Sequence, residues 1–373
     1  MVSATTVLEP RARASERWRS LSEFLVIGGA TLLLIPVAWW YQQTAGLDES
    51  QYVVSFLAFY AAFVINDPHF AVTYLLFYKD ARRRAFGGGF TGLQRWRYLI
   101  AGFLVPAGLF VWVAFALASN SARTMGWLIQ LMFFLVSWHY VKQGFGVLTV
   151  LSARRGIRFT PLERRLVLAH CFAGWAYAWS SPAGPGFLVE ESGVVYLSMA
   201  QPVLLEQVSR VAFFGSAVAM SWALWRKWRR EGALPLAPLG GLLITVWLWS
   251  VYSDFDPLIA YLIPGLHSLQ YLYFVWLLKR NQAREALSGE CFIPVRRRLV
   301  LLAISALALG WFLFRGGPQF FDAHLVLNDP DLAGGLGPTP YLAAFLTFVN
   351  IHHYFMDHVI WRRENPETRY LMG

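Results

Sequence analysis

Apolar runs of about 20 residues, nearly free of charge, recur along the whole chain, at 22–41, 52–78, 98–118, 125–151, 165–180, 203–225, 236–253, 257–278, 298–315 and 341–361. A hydrocarbon core about 30 Å thick takes about 20 such residues per helical crossing. Inside lipid every backbone polar group must find its partner within the protein, so only helices and closed barrels span it. The runs are continuous rather than alternating, which selects helices over barrel strands. The expected fold class is therefore all-α, a polytopic integral membrane helical bundle of about ten transmembrane helices forming one domain. At 57% hydrophobic and 17% aromatic residues, with mean hydropathy +0.44, the chain is more apolar than soluble domains are.

The charges orient the spans. A net charge of +10 can signal a nucleic-acid partner, but not in this distribution. The N-terminus, the connections after spans two, four, six and eight, and the C-terminus hold 28 of the 32 Lys and Arg, counting Arg165 and Arg298 at the cytoplasmic starts of their spans. The other connections hold only Arg123 and Arg315, and Lys142 and Arg210 fall within spans. Basic residues collect on the cytoplasmic side, so ten spans with both termini cytoplasmic are expected. Residues 1–21, with Arg11, Arg13, Arg17 and Arg19, form a basic cytoplasmic lead-in without the apolar core of a signal peptide. Its end, 14–25, is expected to lie on the membrane surface. The bundle takes 22–361 and a cytoplasmic tail 362–373. Asp48, Glu49, Glu190, Glu191, Asp322, Asp329 and Asp331 fall on the outer side, partly in the long connections 181–202 and 316–340. Cys171 and Cys291 make neither a disulfide framework nor a CxxC site.

Into these apolar runs the chain places groups that hydrocarbon tolerates badly, which marks a functional site by default. Four histidines lie deep in four spans running from outside to inside: His69 after Asn66-Asp67-Pro68, His139 after Ser137-Trp138, His267 after Pro264-Gly265-Leu266, and His353 after Asn350-Ile351-His352. The first cytoplasmic charge follows 10 residues after His69, 15 after His139, 12 after His267 and 9 after His353. At 1.5 Å per residue these are roughly 14–23 Å from the inner edge, one slab near the midplane. A lone histidine in a membrane helix more often bonds a neighbouring helix. Four at matched depth favour a shared metal ion, for which imidazole is a common ligand to iron, zinc or copper.

Each of the four has a polar residue one turn later: Thr73, Gln143, Tyr271 and Asp357. Asn350, His353 and Asp357 share one face of the last span. Metal-bound histidines need their other nitrogen held, and Asp357 is the candidate for that role or for direct ligation. Tyr271 and Gln143 are candidates to orient a ligand, water or substrate. His352 points about 100° from His353 and is a candidate fifth ligand or a packing residue. His170, His324 and His358 are expected outside the site. Lys142, in mid-span, can snorkel, pair with Asp357 or Asp67, or form a Schiff base with an aldehyde such as retinal. Pro68 is expected to kink span two. Asp254 and Asp256, before Pro257, are expected to cap a helix at the outer surface. Arg210 has no assigned role.

The pattern of Pro68-His69, Trp138-His139-Tyr140, His267 in a His-x-x-x-aromatic stretch ahead of Phe274-Val275-Trp276, and His353 with Asp357 before a basic end resembles the bacterial membrane-bound Brp/Blh family of β-carotene 15,15′-dioxygenases. The resemblance covers four short patches. It implies an integral-membrane, iron-dependent oxygenase of the bacterial inner membrane that cleaves a carotenoid, with His69, His139 and His267 as iron ligands. The family's His-x-x-x-His stands here as His267-x-x-x-Tyr271, so the fourth ligand must come from elsewhere, with His353 the candidate. The chain also has more spans than the family.

The expected function is thus a non-haem, mononuclear iron oxygenase or oxidase acting with O₂ on a lipophilic substrate among membrane lipids, with no nucleic-acid partner. Trp138, Tyr140, Phe145, Tyr271, Tyr273, Phe274 and Tyr354 are expected to line its cavity. Di-iron desaturases need about eight histidines in clusters near the cytoplasmic face, where only His352-His353 is adjacent here. A bis-histidine haem protein and a zinc site remain alternatives. So does a transporter or proton-pathway protein that uses the histidines, Lys142 and Asp357, although no inverted repeat of broken helices supports it.

Overall fold

The computed structural model describes residues 18–181, 188–191, 194–254, 257–287, 294–325 and 334–372. The basic lead-in through Arg17, Asp256, Cys291, Asp329 and Asp331 lie outside the described residues. In chain order the helices are α1 (Trp18–Gly29), α2 (Thr31–Ala45), α3 (Leu47–Val64), α4 (Asn66–Tyr78), α5 (Ala81–Phe86), α6 (Gly92–Ala118), α7 (Ala122–Arg154), α8 (Pro161–Ser180), α9 (Val203–Glu231), α10 (Leu236–Val251), α11 (Pro257–Leu287), α12 (Val295–His324) and α13 (Pro340–Ile360). Among the described residues one short antiparallel ribbon, Leu188–Glu191 against Val194–Leu197, falls between α8 and α9 in the sequence.

Among the described residues, six segments are long and apolar enough to cross a membrane: Leu47–Tyr78, Gly92–Ala118, Ala122–Arg154, Val203–Glu231, Leu258–Glu285 and Val295–His324. They become seven if α1 and α2, bent by 58°, count as one span. This is a multi-pass membrane protein. The other three expected spans are helical, as α8, α10 and α13, but are not among those that pass on length and apolarity together. α8 begins with Glu163, Arg164 and Arg165, and α13 carries the polar Asn350–Asp357 stretch on a largely buried helix. The outward faces are apolar where hydrocarbon would meet them, as at Leu33, Trp39, Phe110, Phe115, Val211 and Ile304.

Local chemistry starts and stops these helices. The Ser121 hydroxyl accepts from Thr124 N and caps α7. Thr160 and Glu163 form a capping box at α8, with Pro161 in its first turn. The α1–α2 bend falls at Gly28, whose φ of +133° suits a residue without Cβ. Span two breaks at Ile65 (φ −124°, ψ −61°), and Pro68 sits in the first turn of α4, where its missing N–H is not needed. Asp322 of α12 accepts from Tyr341 N (2.8 Å) and Leu342 N (3.2 Å), capping α13 from another helix.

α13 packs against α4, α6 and α7, while α11 and α12 pack against α4. The C-terminal 3₁₀ turn, Pro366–Leu371, ties the far ends of these helices together. Arg84, just past α4, donates to Leu76 O (2.9 Å), Tyr98 Oη (2.6 Å) and Glu367 (2.6 Å). Arg154 at the end of α7 donates to Leu371 O, and Asn281 near the end of α11 to Tyr370 O (2.7 Å). The C-terminal ends of α4, α7, α11 and α13 therefore meet at one end of the bundle, and the four histidine-bearing helices run the same way.

Candidate metal centre

Those four helices bring His69, His139, His267 and His353 into one group. Their relative exposures are 1%, 5%, 3% and 0%. One ring nitrogen from each lies within 4.8 Å of the corresponding atom of every other. His139 Nε2 and His267 Nε2 are 3.1 Å apart. The His353 ring stands edge-on to His69 (centroids 4.5 Å) and His139 (5.0 Å). The sequence spacing could give only common depth; packing of four helices supplies the convergence.

The donor set fits a cation. His69 Nε2, His267 Nδ1 and both ring nitrogens of His353 are buried without a hydrogen-bond partner. Each such atom costs about 1–3 kcal/mol unless something binds it. Two ligands at right angles around an ion, each at about 2.1 Å, stand about 3.0 Å apart, and opposite ones about 4.2 Å. The observed spread is close to that range. Four buried histidines could thus hold a metal ion, and the arrangement does not by itself select which. Haem does not fit: an iron bracketed by two of these imidazoles needs its other positions for the porphyrin, in space the remaining two imidazoles occupy.

Around the group lies a hydrogen-bonded belt. Asp357, 5% exposed, turns Oδ2 toward His353 Nε2 (3.7 Å) and His139 Nε2 (3.8 Å). Its Oδ1 accepts from Tyr271 Oη (2.7 Å) and Trp361 Nε1 (3.2 Å). Tyr271 Oη also pairs with Thr73 Oγ1 (2.6 Å). The spacing placed Tyr271 beside His267, yet its hydroxyl serves Asp357 on another helix. Gln143 donates to Gln270 Oε1 (2.8 Å) and weakly to His267 O (3.4 Å), and Gln270 donates to Ile27 O (2.6 Å). Gln143 thus bridges helices beside the group, with its own Oε1 buried and unpartnered. Tyr140 packs on His267 (4.4 Å between ring centroids), Tyr354 on His139 (4.8 Å) and Phe70 on His353 (4.7 Å).

Other expected residues stand apart. His352 is turned out of the group: its Nδ1 is 3.0 Å from Tyr74 Oη and its Nε2 is 3.0 Å from Ala101 O. The backbone is π-helical over Ile100–Leu104, and the carbonyls of Ala101 and Gly102 take their hydrogen bonds from His352 and Tyr78. His352 is therefore a packing residue with both nitrogens engaged. Lys142, three residues after His139, is half-buried over the Phe172 ring at 6.0 Å and pairs with neither Asp357 nor Asp67. Asp67 instead faces Arg315 Nε at 3.7 Å, and the Arg315 guanidinium lies over Phe59 at 3.9 Å. Trp138 packs on His358, Phe145 lies within 5.9 Å of Arg164, and Tyr273 donates to Glu23, so these three do not line the group; Phe274 belongs to a separate apolar cluster with Val147 and Leu278. His170 bonds Ser216 and Trp247, His358 bonds Arg362, and His324 lies exposed at the end of α12.

Sequence reasoning passed over Ser268, Gln270 and Trp361. Ser268 and Gln270 follow His267 by one and three positions and are fully buried at 0% exposure. Polar residues clustered around a histidine in an otherwise apolar span were the available signal. Comparison with protein-family models, with curated proteins and with solved structures finds no match for this chain.

Proposed function

We propose that this protein is an integral-membrane, histidine-ligated metalloenzyme: a mononuclear non-haem iron oxygenase or oxidase that takes a lipophilic, carotenoid- or lipid-like substrate from the bilayer and uses O₂. The observation that carries this reading is the group of four buried imidazoles, three of them with unpartnered nitrogens, at the meeting point of four parallel helices. Iron held by imidazoles with open positions would supply the activation of O₂.

The chain's own residues do the rest. His69, His139, His267 and His353 hold the ion. Neutral imidazoles bring no counter-charge, and a low-dielectric interior demands one. Asp357 is the nearby carboxylate, aimed by its bonds from Tyr271 and Trp361. Tyr140, Tyr354 and Phe70 close apolar walls around the group and keep bulk water out. O₂ and an apolar substrate both partition into hydrocarbon, so a centre buried among lipid-facing helices is reached from the membrane. Ten crossings, with α8, α10 and α13 included, together with the alternation of basic residues support cytoplasmic termini, and the bacterial inner membrane is the proposed location.

Elemental analysis of the purified protein, beside His139→Ala and His353→Ala, tests this. About one iron per chain is expected in the wild type, lost in both variants, because each removes a ligand. Stoichiometric metal that survives both substitutions refutes the centre. A wild type without metal and indifferent to chelators refutes the enzyme and points to a proton or substrate pathway instead.

A further inference from the structure

We infer that Ser268 and Asn66 fix the proton of His69 on Nδ1 and thereby make Nε2 its metal-binding atom; the consequence for metal rests on the proposed centre, the proton placement does not. Ser268 Oγ lies 3.0 Å from Asn66 Oδ1 and 3.1 Å from His69 Nδ1. A hydroxyl has one proton. It goes to the Asn66 carbonyl oxygen, which can only accept. Toward His69 the serine is then an acceptor, so Nδ1 must carry hydrogen. A neutral imidazole protonated on Nδ1 has its lone pair on Nε2. His69 Nε2 is the buried atom without a partner.

The opposite tautomer is doubly unfavourable. It would bury an Nε2–H with no acceptor and put a proton where the ion needs a lone pair. The placement in the chain reinforces the assignment. Asn66 stands one turn before His69 on α4, and Ser268 follows His267 directly on α11. The relay therefore couples two ligand-bearing helices at the ligands themselves. His267 Nδ1 and both nitrogens of His353 have no comparable partner. Ser268 and Asn66 are positioning residues: Ser268 touches His69, and the Asn66 side chain acts through Ser268.

Two measurements separate this role from mere packing. In metal-free protein labelled with ¹⁵N-histidine, ring shifts of His69, assigned by comparison with His69→Gln, should show the Nδ1–H form in the wild type. In Asn66→Ala the serine proton is released to His69, and the Nε2–H form should gain population. Metal affinity, read by competition with a chromophoric chelator, should fall roughly 10- to 100-fold in Ser268→Ala and in Asn66→Ala. Ser268→Thr keeps the hydroxyl and should restore it. Finding His69 as Nε2–H in the wild type overturns the inference, as does wild-type affinity in both alanine variants. Failure of folded Ser268→Thr to restore affinity overturns it as well. If the wild type binds no metal, the metal-centre reading falls while the ring shifts still decide the tautomer.

Discussion

The closest backbone approach near the centre makes the sharpest mechanical prediction. A methyl group placed on Gly310 of α12 would lie 2.6 Å from Asp67 C, 2.7 Å from Asp67 O and 2.9 Å from Pro68 N. Carbon atoms rest at about 3.5–4.0 Å, so Gly310→Ala demands roughly 1 Å of separation between two backbones. No flexible side-chain end is present to yield. Overpacking of this kind costs about 1–3 kcal/mol. The displaced segment is the first turn of α4, two residues from His69. A metal–ligand bond tolerates about 0.2 Å, so a shift of even a third of the required distance reaches the ion. The expected result is a lower unfolding temperature in detergent together with metal affinity reduced roughly tenfold, about 1.4 kcal/mol. Gly215→Ala on exposed α9 is the control, since nothing lies within 4 Å of its added methyl. Both variants gain the same helix propensity, about 1 kcal/mol, so their difference isolates the clash. A Gly310→Ala protein as stable and as metal-avid as the control refutes the packing argument. Lost stability with unchanged metal affinity refutes the coupling, because α12 would then have yielded without moving α4.

Two further substitutions separate packing from ligation. His352→Ala leaves Ala101 O without its donor inside the bundle and should cost about 1–3 kcal/mol of stability while metal content stays at the wild-type level; metal loss in a folded variant would return His352 to the ligand set. Tyr271→Phe removes the shorter of the two bonds to Asp357 Oδ1, worth about 1.5–3 kcal/mol for a charged acceptor, and should weaken metal binding roughly tenfold in the same chelator competition. Unchanged affinity would separate Asp357 from the ion.

Helical period and the cost of polar groups in lipid determined much of this protein. They identified a multi-pass helical bundle, put Asp357 below His353 on one face, and marked His69, His139, His267 and His353 as buried at a common depth. Those are local properties, set by 1.5 Å of rise and 3.6 residues per turn. Tertiary structure decided which faces meet. His352 and His353 differ by about 100° of rotation along α13, and only the docking of α4, α6 and α7 sends one to π-helical carbonyls and the other into the cluster. The same docking gives the Tyr271 hydroxyl to Asp357 rather than to the His267 turn, commits Gln143 to Gln270, and leaves Lys142 over Phe172. It also supplies Ser268 as the partner of His69, across 199 residues of chain. Helix rotation is chosen by side-chain packing between distant segments, and no local spacing encodes it.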